Sequence, residues 1–234
     1  MTTDEGLLDM PVWASLTGAH AHLAERNNGA VRYPPDVAPF AALADAADPE
    51  NWLDLAQLFG PGAVAVLPGV TEAPDGWEIV DVVHAVQLVD ASLRAETDNE
   101  AVPLDHADVP EILELIARTR PGPFLPRTIE LGDYSGIRRV GALIAMAGER
   151  MHPAGWTEIS AVCTDAAYRG QGLGTRLIRH VAAGIRGRGE SAFLHAAATN
   201  VNAIRLYESI GFTHRRDIRF LIVRTPPSSA GLPT

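Results

Sequence analysis

The sequence predicts an α/β protein built on a mixed α+β sheet, and three observations carry that expectation. Thr157–Thr164 alternates with β-branched residues, as a half-buried strand does. It runs through a glycine-rich turn into Leu173, Leu177, Ile178 and Val181, which are spaced as one face of an amphipathic helix. Over residues 101–225 the periodicities follow one another in the order β-α-α-β-β-β-α-β-α-β.

Composition bounds the rest. With 234 residues, 47% of them hydrophobic and 21% charged, the chain can bury a sizeable core in one large or two small domains. A net charge of −10 argues against a nucleic-acid partner and suits attraction of a cationic amine. The single cysteine, Cys163, forms no intramolecular disulfide and suits a reducing compartment, where it reads as a buried structural residue rather than a nucleophile. The acidic N-terminus (Asp4, Glu5, Asp9) lacks the basic region of a signal peptide, and no run approaches the ~20 apolar residues of a membrane helix. These features point to a cytoplasmic protein with no membrane partner.

In chain order, residues 1–95 read as an N-terminal α/β region. Leu7–Glu25 gives helical pieces, Val31–Tyr33 a short strand and Asn51–Phe59 a helix closed by Gly60-Pro61-Gly62. Strands are expected at Ala63–Leu67, Trp77–Val80 and Ala85–Val89. His20 and His22 are spaced like a metal pair but lack a third ligand, so they read as ordinary surface histidines with no metal.

The polar run Glu96–Glu100 reads as the joint to a second unit, residues 96–225. Val102–Leu104 opens that unit, and a helix follows over Val109–Arg118 with Ile112, Leu115 and Ile116 inward. A loop rich in proline (residues 120–126) and a short helix over Arg127–Leu131 lead to a hairpin, Tyr134–Arg138 and Ala142–Met151, turning at Val140-Gly141. After the central strand and the Arg176–Arg186 helix come a strand at Ala192–Ala196, a helix at Val201–Ser209 and a last strand at Phe212–Val223. The tail from 226 to 234 is rich in proline, serine and glycine and reads as disordered.

The chemistry is concentrated in Arg169-Gly170-Gln171-Gly172-Leu173-Gly174-Thr175. A strand passing through such a turn into a helix aims unpaired backbone N–H groups and the positive end of the helix dipole above the sheet, which favours a phosphate. The glycines permit close approach, and Arg169 supplies a fixed positive charge. The Rossmann spacing fails at Thr175, and a Walker loop needs a lysine, of which the chain has none. A plain strand-to-helix turn is the competing account, at a cost of about 0.5–1 kcal/mol per glycine against alanine.

Arg169, Gly172 and Gly174 form R-x-x-G-x-G, which resembles the pyrophosphate-binding signature of the GNAT superfamily of acyl-CoA-dependent N-acyltransferases. Asn200–Phe212 resembles the same family's N-x-x-A-x-x-x-Y-x-x-x-G-F signature, one helix and one strand downstream. The resemblance covers rather more than half the chain and implies the GNAT fold with splayed central strands; residues 1–95 then resemble a degenerate half of that fold, or a scaffold that extends the sheet. It also implies acetyl-CoA as cosubstrate, wedged between strands at Ile159–Thr164 and Phe193–Ala196.

By the same resemblance the edge of Val162, Cys163 and Thr164 pairs with pantetheine, the backbone from Gly170 to Thr175 holds the pyrophosphate, and Asn200 contacts the cofactor arm or caps its helix. Tyr207 takes the position of the acid that protonates the departing thiolate. Glu158 lies eleven residues before Arg169, where the histone-acetylating branch carries a glutamate, and is the candidate base. Phe124 is a candidate wall of the acceptor pocket or else a core anchor. The implied reaction is N-acetyl transfer to a primary amine, of a small molecule or a peptide, by direct attack in a ternary complex. A non-catalytic acyl-CoA-binding regulatory domain is the alternative, and a homodimer is left open.

Overall fold

Two neighbouring parallel strands that part from one another set the architecture of the computed structural model, which describes residues 4–227. They are β9 (Trp156–Thr164) and β10 (Ser191–Ala197). They pair only over Trp156–Glu158 and Ser191–Phe193, and beyond that point each continues alone. On the outer side of β9 lie β8 (Ala142–Glu149), β7 (Tyr134–Arg139) and the edge strand β6 (Val102–Leu104), all antiparallel. Beyond β10 lie β5 (Glu78–Asp90), β11 (Phe212–Arg224) and β4 (Val64–Pro68). The result is one eight-stranded sheet in the order β4-β11-β5-β10-β9-β8-β7-β6.

The place of β5 matters most for the N-terminal region. It precedes the polar run at Glu96–Glu100, yet it sits between β10 and β11 and pairs with both. The run therefore joins strands of one sheet. Expected as two short pieces, β5 is a single strand of thirteen residues, because Asp81 and His84 fall where it pairs with β11 alone and exposes its side chains.

One face of the sheet carries α4 (Leu173–Gly187) and α5 (Val201–Ser209). Leu177, Ile178, Val181 and Ile185 of α4 pack on Ile159, Leu194, Val86 and Leu88 of three strands. Each such side chain is worth about 1.5–3 kcal/mol when fully buried. The opposite face is covered by α3 (Val109–Thr119) and by the N-terminal elements. These are α1 (Pro11–Thr17), a small antiparallel sheet of β1 (Glu25–Asn27), β2 (Ala30–Arg32) and β3 (Ala41–Leu43), and α2 (Pro49–Phe59). Leu8, Val12, Tyr33 and Phe40 bury Trp156 and Phe193 beneath them.

Several expectations change here. The helical run expected through Glu25 shrinks to a 3-10 turn, Glu5–Asp9, and α1, because Gly18 ends it. His20 is not a surface residue. It is 5% exposed, with Nδ1 2.8 Å from Tyr33 Oη and Nε2 3.0 Å from the Leu131 carbonyl. Phe124 is a core anchor, edge-on to Tyr134 at 5.4 Å beneath α3. The expected disordered tail falls largely on residues 228–234, outside the described residues.

Candidate functional site

Where β9 and β10 separate, a cleft of about 470 Å³ opens. One wall is β9 at Val162, Cys163 and Thr164, and the other is the end of β10 with Asn200 and Tyr207 of α5. The rim is Arg169 on one side and the loop after α3, Thr119 to Gly122, on the other.

The β9 wall has an irregular backbone. Met146 and Gly148 of β8 pair with Cys163 and Ser160, so β9 advances three residues where its partner advances two. The extra residue is taken up around Ala161, whose φ of 53° is left-handed for a side chain with a Cβ. Past this bulge Cys163 faces the core under α3, and Val162 faces α4. The inner edge of β9 beyond Glu158 pairs with no strand among the described residues, which leaves main-chain N–H and C=O groups for a peptide-like ligand. Burial pushes the Cys163 thiol up in pKa, so it stays protonated and serves packing.

At the end of β9, a short 3-10 turn (Ala166–Tyr168) leads into Arg169 and the glycines. Gly170 and Gly172 hold φ of 78° and 74°, where a Cβ is strained. The first helical bond of α4 runs from Arg176 N–H to the Gly172 carbonyl at 3.0 Å. No carbonyl or side chain among the described residues takes the N–H groups of residues 170–175. Gly174 lies inside the helix, and a Cβ there would meet only Val162 and Thr164 at 3.8 and 3.9 Å. The fold does not require that glycine, and its missing side chain leaves the approach to the helix end open. The turn thus fits a diphosphate on main-chain donors, with the Arg169 guanidinium beside it. Arg169 Nε otherwise donates only to the Thr164 carbonyl, at 3.3 Å.

On the far wall, Asn200 caps α5, its Oδ1 accepting from Ala203 N–H at 3.2 Å, and it also lines the cleft. The Tyr207 ring rests against Phe212, and burial pushes the phenol up to about 12, so it holds its proton at neutral pH.

Glu158 does not reach the cleft. It is fully buried, and Arg150 grips both its oxygens, Nε at 2.8 Å and Nη2 at 2.6 Å. Burial alone would raise its pKa; the Arg150 charge and hydrogen bonds, with His195, outweigh that and hold it down at about 2. A carboxylate so committed is a poor base, which corrects the role expected for it.

The cleft-facing member of this network is His195, which no sequence motif marks. Its Nδ1 lies 2.7 Å from Glu158 Oε1, and its Nε2 lies 3.0 Å from Gln87 Nε2. Gln87 Oε1 accepts from Arg215 Nη1 at 2.8 Å, and its Nε2 also donates to the Leu8 carbonyl at 2.9 Å. The amide is therefore oriented with both N–H bonds outward, so His195 Nε2 must accept and its ring proton sits on Nδ1. Both imidazole nitrogens are in use. Gln87 lies opposite His195 on β5, the strand supplied by the N-terminal region. Among the described residues no group of three or more potential metal ligands forms, and no helix is long and apolar enough to cross a membrane.

Comparison with known proteins places this geometry. The family described as FR47-like protein matches residues 134–221, from β7 to β11. Among curated proteins the chain is 32% identical over 207 residues to an uncharacterised protein of Mycobacterium leprae, covering 78% of this chain and 55% of that one. It is 33% identical over 199 residues to a mycothiol acetyltransferase of Thermomonospora curvata, covering 82% of this chain and 63% of that one. The chain thus spans less than two thirds of the length of either relative. A GCN5-related N-acetyltransferase of Kribbella flavida has the same fold, with TM-score 0.58 and 17% identity, covering 94% of this chain and 97% of that one. A solved protein of Novosphingobium aromaticivorans assigned to the GNAT family superposes with TM-score 0.83 and 40% identity, covering 92% of this chain and 97% of that one. Identity at that level across nearly the whole of both chains carries descent as well as shape, and this chain belongs to the GNAT family of acetyltransferases.

Proposed function

We propose that the protein transfers an acetyl group from acetyl-CoA to a primary amine by direct attack in a ternary complex. The observation that carries this reading is the cradle of unpartnered N–H groups at residues 170–175, beside an unpaired strand edge that ends on it. The cradle takes the diphosphate, and the Val162–Thr164 edge takes the pantetheine amides. A main-chain N–H near the Ala161 bulge is available to the thioester oxygen as negative charge grows on it. The amine lone pair attacks the thioester carbonyl; the C–N bond forms, the C–S bond breaks, and Tyr207 gives its proton to the departing thiolate. Asn200 steadies the cofactor arm from the α5 side.

The amine attacks unprotonated; the proton its nitrogen sheds as the amide forms goes to solvent, and Tyr207 regains its proton from solvent, since Glu158 is buried with Arg150 and His195 uses both nitrogens. The same cleft supports a second reading, a non-catalytic acyl-CoA-binding regulatory domain. Thioester turnover over a panel of amines separates the two. Release of CoA that depends on the amine is the expected result. Tight acetyl-CoA binding without turnover of any amine favours the regulatory domain.

A further inference from the structure

The chain carries a net charge of −10, but its cleft does not share that sign. The charged side chains that line it are Arg120 and Arg169, both cations. Arg169 stands beside the diphosphate cradle and immediately precedes it in the sequence. Arg120 stands on the other rim, in the loop after α3, and no ion pair among the described residues uses it.

Its backbone is informative. Arg120 ends α3 with φ 50° and ψ 55°, its N–H closing on the Ile116 carbonyl. That left-handed position favours glycine, and a non-glycine residue held there stores strain. The sequence keeps a strained arginine at the mouth of the cleft, exposed and free of carboxylate partners. A guanidinium so placed offers a planar fork to a carboxylate or phosphate.

Resting on the transferase reading above, we infer that the cleft selects an amine that also carries an anionic group, and that Arg120 is the residue that reads that anion. A carboxylate and a phosphate ester share the chemistry that Arg120 recognises. The two cations also disfavour an ammonium in the cleft, so the acceptor enters as the free amine. This fits a site whose imidazole nitrogens are both occupied.

The test uses two matched pairs of acceptors: 2-phenylethylamine with phenylalanine, and glucosamine with glucosamine 6-phosphate. Arg120→Gly removes the fork and relieves the left-handed backbone, so it folds at least as well as the wild type by melting temperature. The inference expects the wild type to prefer the anionic member of one pair. It expects Arg120→Gly to lower kcat/KM for that member by about 10–100-fold while leaving the neutral amine within about twofold. Arg120→Lys restores part of the loss. Which pair responds tells carboxylate from phosphate. Equal losses for both members of a pair overturn the inference. So does a loss confined to CoA affinity, which would give Arg120 to the cofactor's phosphates. If the wild type turns over none of the four amines, the wider amine panel decides the transferase reading, and calorimetry on the CoA-loaded protein decides the inference alone. Arg120-dependent binding of the anionic members then supports it, and its absence overturns it.

Discussion

His195 Nδ1 and Glu158 Oε1 lie 2.7 Å apart across the point where β9 and β10 separate. Through that bond the floor of the cleft is tied to Arg150 on one side and, by way of Gln87 and Arg215, to Asp9 on the other. The N-terminal region, which carries no signature of its own, is thereby wired to the centre of the sheet.

Glu158→Gln leaves the Arg150 guanidinium buried without a counter-charge, and it should cost about 3–5 kcal/mol at pH 7, read by denaturant melts. The wild-type carboxyl is held at about 2 in the fold against an ordinary 4.5. Its contribution is therefore complete above about pH 4.5 and is lost as pH falls toward 2, amounting to about 3 kcal/mol across that window. The variant should lack this slope; an unchanged slope would show that the pair does not hold the carboxyl down.

His20 acts in a higher window. Burial, with the neighbouring His152, lowers it to about 4 from 6.5, although the Leu131 carbonyl pulls the other way. The fold favours the neutral ring, so stability is complete above pH 6.5 and declines as pH drops to 4, by up to about 3 kcal/mol. His20→Gln should flatten the stability curve between those two values in urea titrations. A curve that keeps its decline there would place the acid sensitivity elsewhere.

Gly174→Ala separates folding from binding at the glycine turn. Its Cβ meets only ordinary contacts, and alanine inside a helix is favoured over glycine by about 1 kcal/mol, so the variant should melt at or above the wild-type temperature. The methyl group nonetheless occupies the approach to the helix end. Acetyl-CoA affinity should drop at least tenfold by calorimetry; unchanged affinity would move the diphosphate away from this turn.

Tyr207→Phe should lower kcat about 10²-fold or more while CoA affinity stays within a factor of two. Because burial lifts the phenol to about 12, wild-type activity should show no basic limb from this group up to about pH 11. Full activity in the phenylalanine variant would reduce Tyr207 to an aromatic packed on Phe212.

Local pattern made much of this protein legible. The R-x-x-G-x-G turn, the strand that feeds it and the helix that leaves it are contiguous in sequence, and their positive-φ glycines and 3.6-residue spacing are local properties. The same holds for the hairpin at Val140-Gly141, where both residues take the left-handed angles of a tight two-residue turn. The cap at Asn200 and the tyrosine one helix turn and more beyond it are readable for the same reason.

The sequence by itself determined the family likeness, the glycine turn and the order of strands and helices over residues 101–225, because each depends on residues a few positions apart. Only the tertiary structure decided what lies beside what. It inserted β5 between β10 and β11, drew Phe124 and His20 into the interior, and closed Arg150 over Glu158 so that the expected base became a buried anchor. Those outcomes depend on pairings between residues as much as 146 positions apart, as for Glu78 and Arg224 across β5 and β11. Periodicity carries no record of such partners; burial and the need to satisfy every buried polar group select them.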